Sequence, residues 1–280
     1  MREISAKKIT ETVKELCIDA NTNLSEDVQE ALNRSLAREE SPTGREIIRQ
    51  IIQNAEVARK EKLPLCQDTG MAIVFAEIGQ EVLITEGNLV EAINEGVSRG
   101  YSEGCLRKSM VEDPLKRKNT GDNTPAIIHT EIVPGEHIRI RIMAKGGGAE
   151  NRSAIKMFLP TSSRQEISDF IVEVAERTGP DACPPLIIGV GIGGSFDYAP
   201  IMAKKALMRE VGRHNSETDT AGWERELLER VNKLGIGPMG LGGRITALAV
   251  NIEKHPCHIS SLPVAVNVEC HAHRVREAVI

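Results

Sequence analysis

Three of the six cysteines lie far apart along the chain, and each has polar residues or prolines as close neighbours. Cys66, Cys183 and Cys270 are separated by 117 and 87 positions. Compact ferredoxin and zinc sites instead take their ligands from short Cys-x-x-Cys pairs. Any site that these three cysteines share must therefore be assembled by the fold. A free cysteine more often fills the core, so the argument for a site depends on the neighbouring residues.

The composition indicates a folded, soluble chain. Its 280 residues are 40% hydrophobic but only 2% aromatic, so the core must consist mainly of Ile, Val, Leu and Ala. The net charge of -5 does not favour nucleic-acid binding. The N-terminus lacks an apolar signal region and no apolar run reaches about 18 residues, so we expect a cytoplasmic protein without a membrane span. Six cysteines without close pairing indicate thiols or metal ligands rather than disulfides.

The first hundred residues are predicted to be mainly helical. Apolar residues recur at helical spacing in four segments, which are 9–17, 25–32, 43–55 and 89–100. Ser25 is the predicted N-cap of the second helix, and Thr43 with Glu46 forms a capping-box pattern at the start of the third. The third helix would lead the chain toward Cys66. A short apolar segment follows at residues 71–78.

The remaining chain mixes strands and helices. Segments 126–133 and 137–143 predict an antiparallel pair, joined by Pro134-Gly135-Glu136. Ser162 and Ser163 with Gln165 and Glu166 form a capping pattern that predicts the start of a helix, which ends at Gly179-Pro180. Further predicted elements are a strand at 186–190, helices at 200–211 and 223–234, and strands at 246–252 and 264–268. The prediction is an α+β fold, with N-terminal helices followed by mixed β-sheets with packed helices, and no clear boundary within residues 1–280.

Six segments carry a resemblance to a known family. They are Leu63–Gly70, Leu106–Ser109, Gly121–Ala126, Lys145–Asn151, Cys183–Gly194 and Ser261–His271. Together they resemble the class I (iron-sulfur) fumarate hydratases, a family that also includes the L-tartrate dehydratases. The likeness is to the α subunit, which is equivalent to the N-terminal domain of the single-chain enzymes. Several motifs that agree in sequence and in order are more specific than any single pattern.

The resemblance implies a cofactor and a reaction. It implies that Cys66, Cys183 and Cys270 hold a 4Fe-4S cluster whose fourth iron acts on the substrate as a Lewis acid. The implied reaction is the reversible hydration of fumarate to L-malate, with dehydration of L-tartrate to oxaloacetate as the alternative. Fumarate is preferred here because it is the commoner metabolic demand.

The resemblance also implies a set of substrate-binding residues. They are Gln67, Asp68, Arg107, Gly146, Gly147 and His258, of which Asp68 and His258 are also the implied catalytic residues. The guanidinium of Arg107 would bind a carboxylate in a planar, two-point geometry. Simpler alternatives remain, namely a polar turn at Asp68, a solvated surface at Arg107, a flexible turn at the glycines and a structural role for His258.

A partner is expected from where the sequence ends. In the single-chain enzymes, the residue proposed as the base and further substrate contacts lie in a C-terminal domain, whereas this sequence stops shortly after Cys270. We therefore expect a β subunit to supply these groups, in an assembly with two copies of each chain.

The glycine-rich segment Gly189–Gly194 offers a rival interpretation. It satisfies the G-x-G-x-x-G pattern of a dinucleotide site, but no second strand ends in an acidic residue about 20 positions later. The same glycines could let the backbone approach a cluster or an anion, or could allow tight strand-to-helix packing. A structural subunit with inert cysteines is the third alternative.

Overall fold

The computed structural model describes all 280 residues, which form two compact units. Unit 1 comprises Met1–Leu24, Ala55–Gly147 and Arg274–Ile280, and unit 2 comprises Ser25–Asn54 and Gly148–His273. The chain thus passes repeatedly from one unit to the other. Neither unit is a continuous stretch of sequence, which explains why the composition shows no single boundary.

The chain contains ten strands and eight α-helices, which confirms the predicted α+β class. The strands are β1 (Arg2–Ser5), β2 (Met71–Gly79), β3 (Val82–Thr85), β4 (Ile127–Val133), β5 (Ile138–Lys145), β6 (Ala154–Phe158), β7 (Leu186–Gly193), β8 (Ala247–His255), β9 (Leu262–Glu269) and β10 (Val275–Val279). The helices are α1 (Ala6–Thr22), α2 (Glu26–Arg38), α3 (Pro42–Glu61), α4 (Leu89–Glu103), α5 (Gly147–Glu150), α6 (Arg164–Thr178), α7 (Tyr198–Leu207) and α8 (Thr218–Asn232). None of the helices is both long and apolar enough to cross a membrane.

Unit 1 is built on a four-stranded sheet in the order β10-β5-β2-β4, with α1 packed against α4 and the sheet. Strand β2 runs parallel to β4 and antiparallel to β5. The core residues Ile9, Val13, Ile93, Val97 and Ile140 have no solvent exposure. A small parallel pair, β1 with β3, completes the unit.

The predicted antiparallel pair of strands is wrong. Strands β4 and β5 exist, but β2 lies between them and pairs with both. The sequence showed β2 only as a short apolar segment, because residues Ala72–Ala76 are buried on both faces and therefore lack period-two alternation. The connection at residues 134–137 spans the end of β2, where Gly79 N donates to the carbonyl oxygen of His137.

Unit 2 is built on a second four-stranded sheet in the order β6-β9-β7-β8. Strand β7 runs parallel to β8 and antiparallel to β9, and every residue of β7 is buried. Helix α6 packs against α8, where the indole N–H of Trp223 donates to the hydroxyl of Ser168 at 2.8 Å. The capping pattern predicted at Ser162, Ser163, Gln165 and Glu166 is confirmed at the start of α6, where Ser163 and Glu166 form the capping box.

The predicted start of the third helix is wrong by a short distance. Helix α3 begins at Pro42, and the Ser41 hydroxyl accepts a hydrogen bond from Gly44 N at 3.1 Å. Proline suits the first helical position because its φ is already helical and it has no N–H to satisfy. The Thr43 and Glu46 pair therefore lies inside the helix and does not form its cap.

The first two glycines of the G-x-G-x-x-G pattern, Gly189 and Gly191, lie within strand β7, which ends at Gly193, so the predicted end of this strand at Val190 is wrong. A Cβ added to Gly189 would lie 2.1 Å from the carbonyl oxygen of Ala203, and one added to Gly191 would lie 2.1 Å from that of Ala199. Both oxygens belong to α7. The glycines therefore let α7 lie directly on the backbone of β7, which is the tight strand-to-helix packing considered above.

A buried carboxylate joins the link between α2 and α3 to the loop before β8. Glu39 is fully buried and accepts hydrogen bonds from four backbone N–H groups, those of Glu40, Ser41, Arg244 and Ile245, at 2.8–2.9 Å. Burial alone would raise the pKa of Glu39, but these donors outweigh it and hold the pKa below its ordinary value of 4.5. The ionised carboxylate is thus part of the folded structure.

Replacing this carboxylate should reduce stability in a pH-dependent way. We expect Glu39→Gln to lower the free energy of unfolding by about 1–3 kcal/mol at neutral pH, because its amide group places N–H donors against other N–H donors. The pKa of Glu39 is lower in the folded than in the unfolded state, so its contribution is present above pH 4.5 and is lost as the pH falls through the folded pKa. The difference between wild type and variant should therefore shrink below pH 4.5 in urea unfolding. Glu40→Gln, which alters the exposed neighbour, should cost less than about 1 kcal/mol; equal losses at neutral pH would contradict the assignment.

The close packing of α7 on Gly191 of β7 leads to a second prediction. Gly191→Ala should destabilise the chain by about 1–3 kcal/mol, since the methyl group has no space against α7. Gly222→Ala in α8 is the matched control, because its added Cβ would have no neighbour nearer than 4.0 Å and alanine favours helix. Urea unfolding monitored by circular dichroism would measure both. A neutral Gly191→Ala would show that the strand and helix can separate freely.

Candidate functional site

Strand register brings two of the predicted site segments together in unit 1. The segment Cys66–Gly70 leads into β2, the segment Gly146–Gly147 follows β5, and Met71 pairs with Lys145. Gly70 has a φ of +73°, and a Cβ there would lie 2.6 Å from the Lys145 carbonyl. Only glycine fits this close approach without strain. The start of one strand and the end of its neighbour thus form a single edge.

The carboxylate of Asp68 connects the two segments. Its Oδ2 accepts a hydrogen bond from Gly147 N at 2.8 Å, and its Oδ1 accepts one from Gly70 N at 3.1 Å. Both oxygens therefore hold backbone in place, which gives Asp68 a positional role. The side chain is partly exposed, and its predicted catalytic role stays a prediction.

Sequence reasoning missed Arg274, whose side chain lies beneath this edge. It is only 1% exposed, and its Nη1 donates to the main-chain carbonyl of Asp68. Its Nη2 lies 2.9 Å from where a Cβ of Gly146 would be, so a side chain at Gly146 would displace it. Nothing in the sequence distinguishes Arg274 from Arg276, two positions later, because only the tertiary structure buries one guanidinium and directs it at Asp68.

A buried tyrosine holds the carbonyl groups of the same segment. The Tyr101 hydroxyl lies 2.8 Å from the carbonyl oxygen of Thr69 and 3.0 Å from that of Gly70. Burial raises the pKa of Tyr101 well above its ordinary value, so the hydroxyl remains protonated and can donate. Tyr101 was not predicted as a site residue, although it lies on the predicted α4.

Asn123 explains the Gly121–Ala126 motif. It is fully buried with a φ of +66°, and its Nδ2 donates to the Gly70 carbonyl at 3.2 Å. Its Oδ1 accepts from the backbone N–H groups of Ser109, at 2.6 Å, and Met110, at 3.2 Å. The Asn123 amide therefore joins the segment that follows Arg107 to the Cys66–Gly70 segment.

Arg107 itself is positioned through its backbone. Its carbonyl oxygen accepts a hydrogen bond from the Thr69 hydroxyl at 2.9 Å, while its side chain is exposed. The guanidinium has no hydrogen-bond or ionic partner within the chain. An exposed guanidinium on an anchored backbone is well suited to bind an anion.

In unit 2, Cys183 and Cys270 are linked through His271. The His271 backbone N–H lies 3.4 Å from the Cys183 carbonyl oxygen, and its Nδ1 lies 2.9 Å from the same oxygen. A carbonyl oxygen only accepts, so Nδ1 carries the proton. This arrangement confirms neither cysteine as a metal ligand, but it holds the segment of one against the segment of the other. Both cysteines are partly exposed, and neither forms a disulfide.

A polar network supports the strand that leads to Cys270. The Asn267 amide, on β9, donates to Glu150 Oε2 at 3.0 Å and to the Ser153 hydroxyl at 2.8 Å. Glu150 also pairs with Lys204 at 2.6 Å. Glu150, whose role the sequence left open, therefore anchors β9 to the segment that follows α5.

His258 lies in unit 2, beside an open cavity of about 560 Å³. The cavity lies at the C-terminal ends of the parallel strands β7 and β8, a usual position for ligands in such sheets. Its lining includes Ser195, Tyr198, His255, Cys257 and His258. His258 Nδ1 accepts from Ser260 N at 3.1 Å, which leaves Nε2–H as a donor on an exposed ring.

The three predicted cluster ligands are divided between the units. Cys66 belongs to unit 1, and Cys183 and Cys270 belong to unit 2. No group of three or more His, Cys, Asp or Glu side chains that could hold a metal ion is found in the chain, so the shared site stays a prediction. Cys17 is buried in α1, and burial raises its pKa to about 12, in keeping with its predicted place in the core.

Comparison with known proteins settles the family. A family model described as fumarate hydratase (fumerase) matches residues 10–279. This chain belongs to the fumarate hydratase family. The match spans nearly the whole chain, and the resemblance inferred from the six motifs is thereby confirmed.

Two relatives in this family match along almost their whole length. A protein of Methanocaldococcus jannaschii, named putative L(+)-tartrate dehydratase subunit alpha, is 42% identical over 273 residues, covering 95% of each chain. The L(+)-tartrate dehydratase subunit alpha of Escherichia coli K12 is 30% identical over 276 residues, covering 98% of this chain and 91% of its own. Both relatives are therefore named as α subunits, as the resemblance predicted.

The position of Arg274 makes a testable prediction. Arg274→Met should weaken the link between Asp68 and the glycine segment, so the amide hydrogens of Gly70 and Gly147 should exchange with solvent faster in NMR hydrogen-exchange measurements. Arg276→Met is the matched control, because Arg276 lies two residues later, on β10, but bonds Asp19 and the Asn23 carbonyl. Arg276→Met should lower the stability of the chain without selectively accelerating exchange at Gly70 and Gly147. Equal acceleration in both variants would assign Arg274 a general structural role.

Proposed function

We propose that this chain is the α subunit of an iron-sulfur hydro-lyase that hydrates fumarate to L-malate. The observation that carries the proposal is the edge in unit 1, where Gln67, Asp68 and the Gly146–Gly147 segment lie together and the Arg107 backbone is anchored to them. Family membership and the names of the relatives support the same reaction class.

The donor set has the right chemistry for the cluster. Cys66, Cys183 and Cys270 form no disulfide and are partly exposed, and the imidazole of His271 links the Cys183 segment to the Cys270 segment. We propose that these three thiolates hold a 4Fe-4S cluster. When bound, the cluster would supply a Lewis acid for a substrate carboxylate and hydroxyl.

The remaining residues would bind and orient a dicarboxylate. Arg107 would bind one carboxylate through its two-point guanidinium geometry, and the Nε2–H of His258 would donate to a carboxylate oxygen. Asp68 would hold the Gly146–Gly147 backbone in position. Gln67 is exposed and offers an amide donor beside Cys66.

L(+)-tartrate is a second candidate substrate. Fumarate follows from the family description, while the names of both relatives favour L(+)-tartrate. Both substrates are four-carbon dicarboxylates, so the same arginine and histidine could bind either. An assay with both fumarate and L(+)-tartrate distinguishes the two substrates.

A partner chain completes the proposal. The relatives are named as α subunits, which supports a β subunit for this chain as well. We propose that the β subunit supplies the base and further substrate contacts, in an assembly with two copies of each chain. Proton removal from carbon needs a positioned base, and positioning contributes orders of magnitude in rate.

The decisive experiment is an anaerobic assay after reconstitution with iron and sulfide. The chain together with its β subunit should convert fumarate to L-malate, and the chain alone should show little turnover. Faster dehydration of L(+)-tartrate by the complex would replace fumarate as the substrate. No turnover of either dicarboxylate, despite a full complement of iron and sulfide, would overturn the hydro-lyase proposal.

The ligand set is tested by serine substitution. Replacing Cys66, Cys183 or Cys270 with serine should abolish retention of the cluster, because each removes one thiolate ligand. Cys105→Ser is the matched control, since Cys105 is exposed and free; it should leave iron and sulfide content unchanged. Thermal unfolding would confirm that each variant is folded, and retention of a full cluster in any of the three would remove that cysteine from the set.

A further inference from the structure

Unit 2 contains a second cavity, of about 800 Å³, that the proposed function does not use. Its walls are the C-terminal end of α2, one face of α8 and the loop at residues 235–244. The α8 face presents Arg225, Leu228, Glu229 and Asn232, which recur at the spacing of one helical face. The volume lies in the range of about 300–1,000 Å³ usual for small-molecule sites.

Buried polar contacts hold the walls in place. Asn232 Oδ1 accepts from the backbone N–H groups of Thr246, at 2.8 Å, and Ala247, at 2.9 Å. The backbone N–H of Arg244 is bound by the buried carboxylate of Glu39. Because α8 and the loop are fixed by these contacts, the cavity is formed before any ligand binds.

The cavity is lined by cations that lack partners. The side chains of Arg38, Arg225 and Lys233 have no hydrogen-bond or ionic partner within the chain. Six other arginines of the same unit are paired with carboxylates, namely Arg34, Arg49, Arg152, Arg164, Arg209 and Arg230. Arg177 and Arg213 are unpaired but lie outside the cavity lining. An unpaired cluster of this kind is unexpected on a chain with a net charge of -5.

The carboxylates in the cavity do not neutralise this cluster. Arg244 also lines the cavity, and it pairs with Glu40 at 2.7 Å. Glu229 is the other acidic residue of the lining, so three unpaired cations face one unpaired carboxylate. The cavity therefore has an excess of positive charge that an anion would balance.

We propose that this cavity binds a small molecule that carries a phosphate group, held by Arg38, Arg225 and Lys233. A phosphate group carries up to two negative charges and accepts hydrogen bonds in several directions, which suits one cation at the end of α2 and two on α8 and its C-cap. A planar carboxylate could engage fewer of them at once. The rest of the ligand would occupy the part of the cavity that Leu228 lines. This proposal is independent of the hydro-lyase reaction.

Pyrophosphate is a suitable probe for the site. Isothermal titration of the full chain at low ionic strength should show saturable binding of one pyrophosphate per chain. Arg38→Gln and Arg225→Gln should each weaken binding about fivefold, the effect of an exposed charged contact, and Lys233→Gln should do the same. Circular dichroism should show that all three variants are folded, since these exposed side chains make no hydrogen bond or ion pair within the chain.

Arg177→Gln is the matched control, because Arg177 is an exposed arginine at the end of α6 that lacks a partner and does not line the cavity. Its affinity for pyrophosphate should equal that of the wild type. An equal loss in this variant would show attraction to net charge only and would overturn the proposal. Absence of saturable binding, or tighter binding of fumarate than of pyrophosphate at this cavity, would overturn it too.

Discussion

Polar backbone groups in buried loops must find hydrogen-bond partners, and in this protein a few side chains provide them. Asp68 accepts from Gly70 N and Gly147 N, and Asn123 bonds one carbonyl and two N–H groups of neighbouring loops. Glu39 accepts from four N–H groups, two in the link between α2 and α3 and two in the loop before β8. Removing any of these acceptors would leave at least two backbone donors without their partner at once, so the loop conformations depend on them.

This constraint determines how the candidate site is built. The site segments are loops, but each is tied to a strand whose register is fixed over several residue pairs. Arg107 shows the result, because its backbone is bound by Thr69 while its guanidinium has no partner in the chain. A fixed backbone with an available charged group suits ligand binding, because the backbone loses little conformational entropy when the ligand binds.

Glycine has a different use in each of two motifs that resemble one another in the sequence. At Gly189 and Gly191 the absence of a Cβ brings α7 onto the backbone of β7, so these residues serve packing. At Gly146 the same absence makes room for the buried guanidinium of Arg274, next to Asp68. Both motifs end near residues proposed to bind substrate, since Gly194 lines the cavity beside His258 and Gly146 adjoins Asp68.

The sequence by itself determined the elements whose signals are local. The capping box at Ser163 and Glu166 fixed the start of α6, and the ordered motifs around the three cysteines identified the family. It could not place β2 between β4 and β5, because a strand buried on both faces has no alternation to reveal it.

Only the tertiary structure distinguished Arg274 from Arg276 and gave Asp68 its two backbone donors. These contacts join residues far apart in the chain, and the burial and strand pairing that create them leave no periodic mark in the sequence.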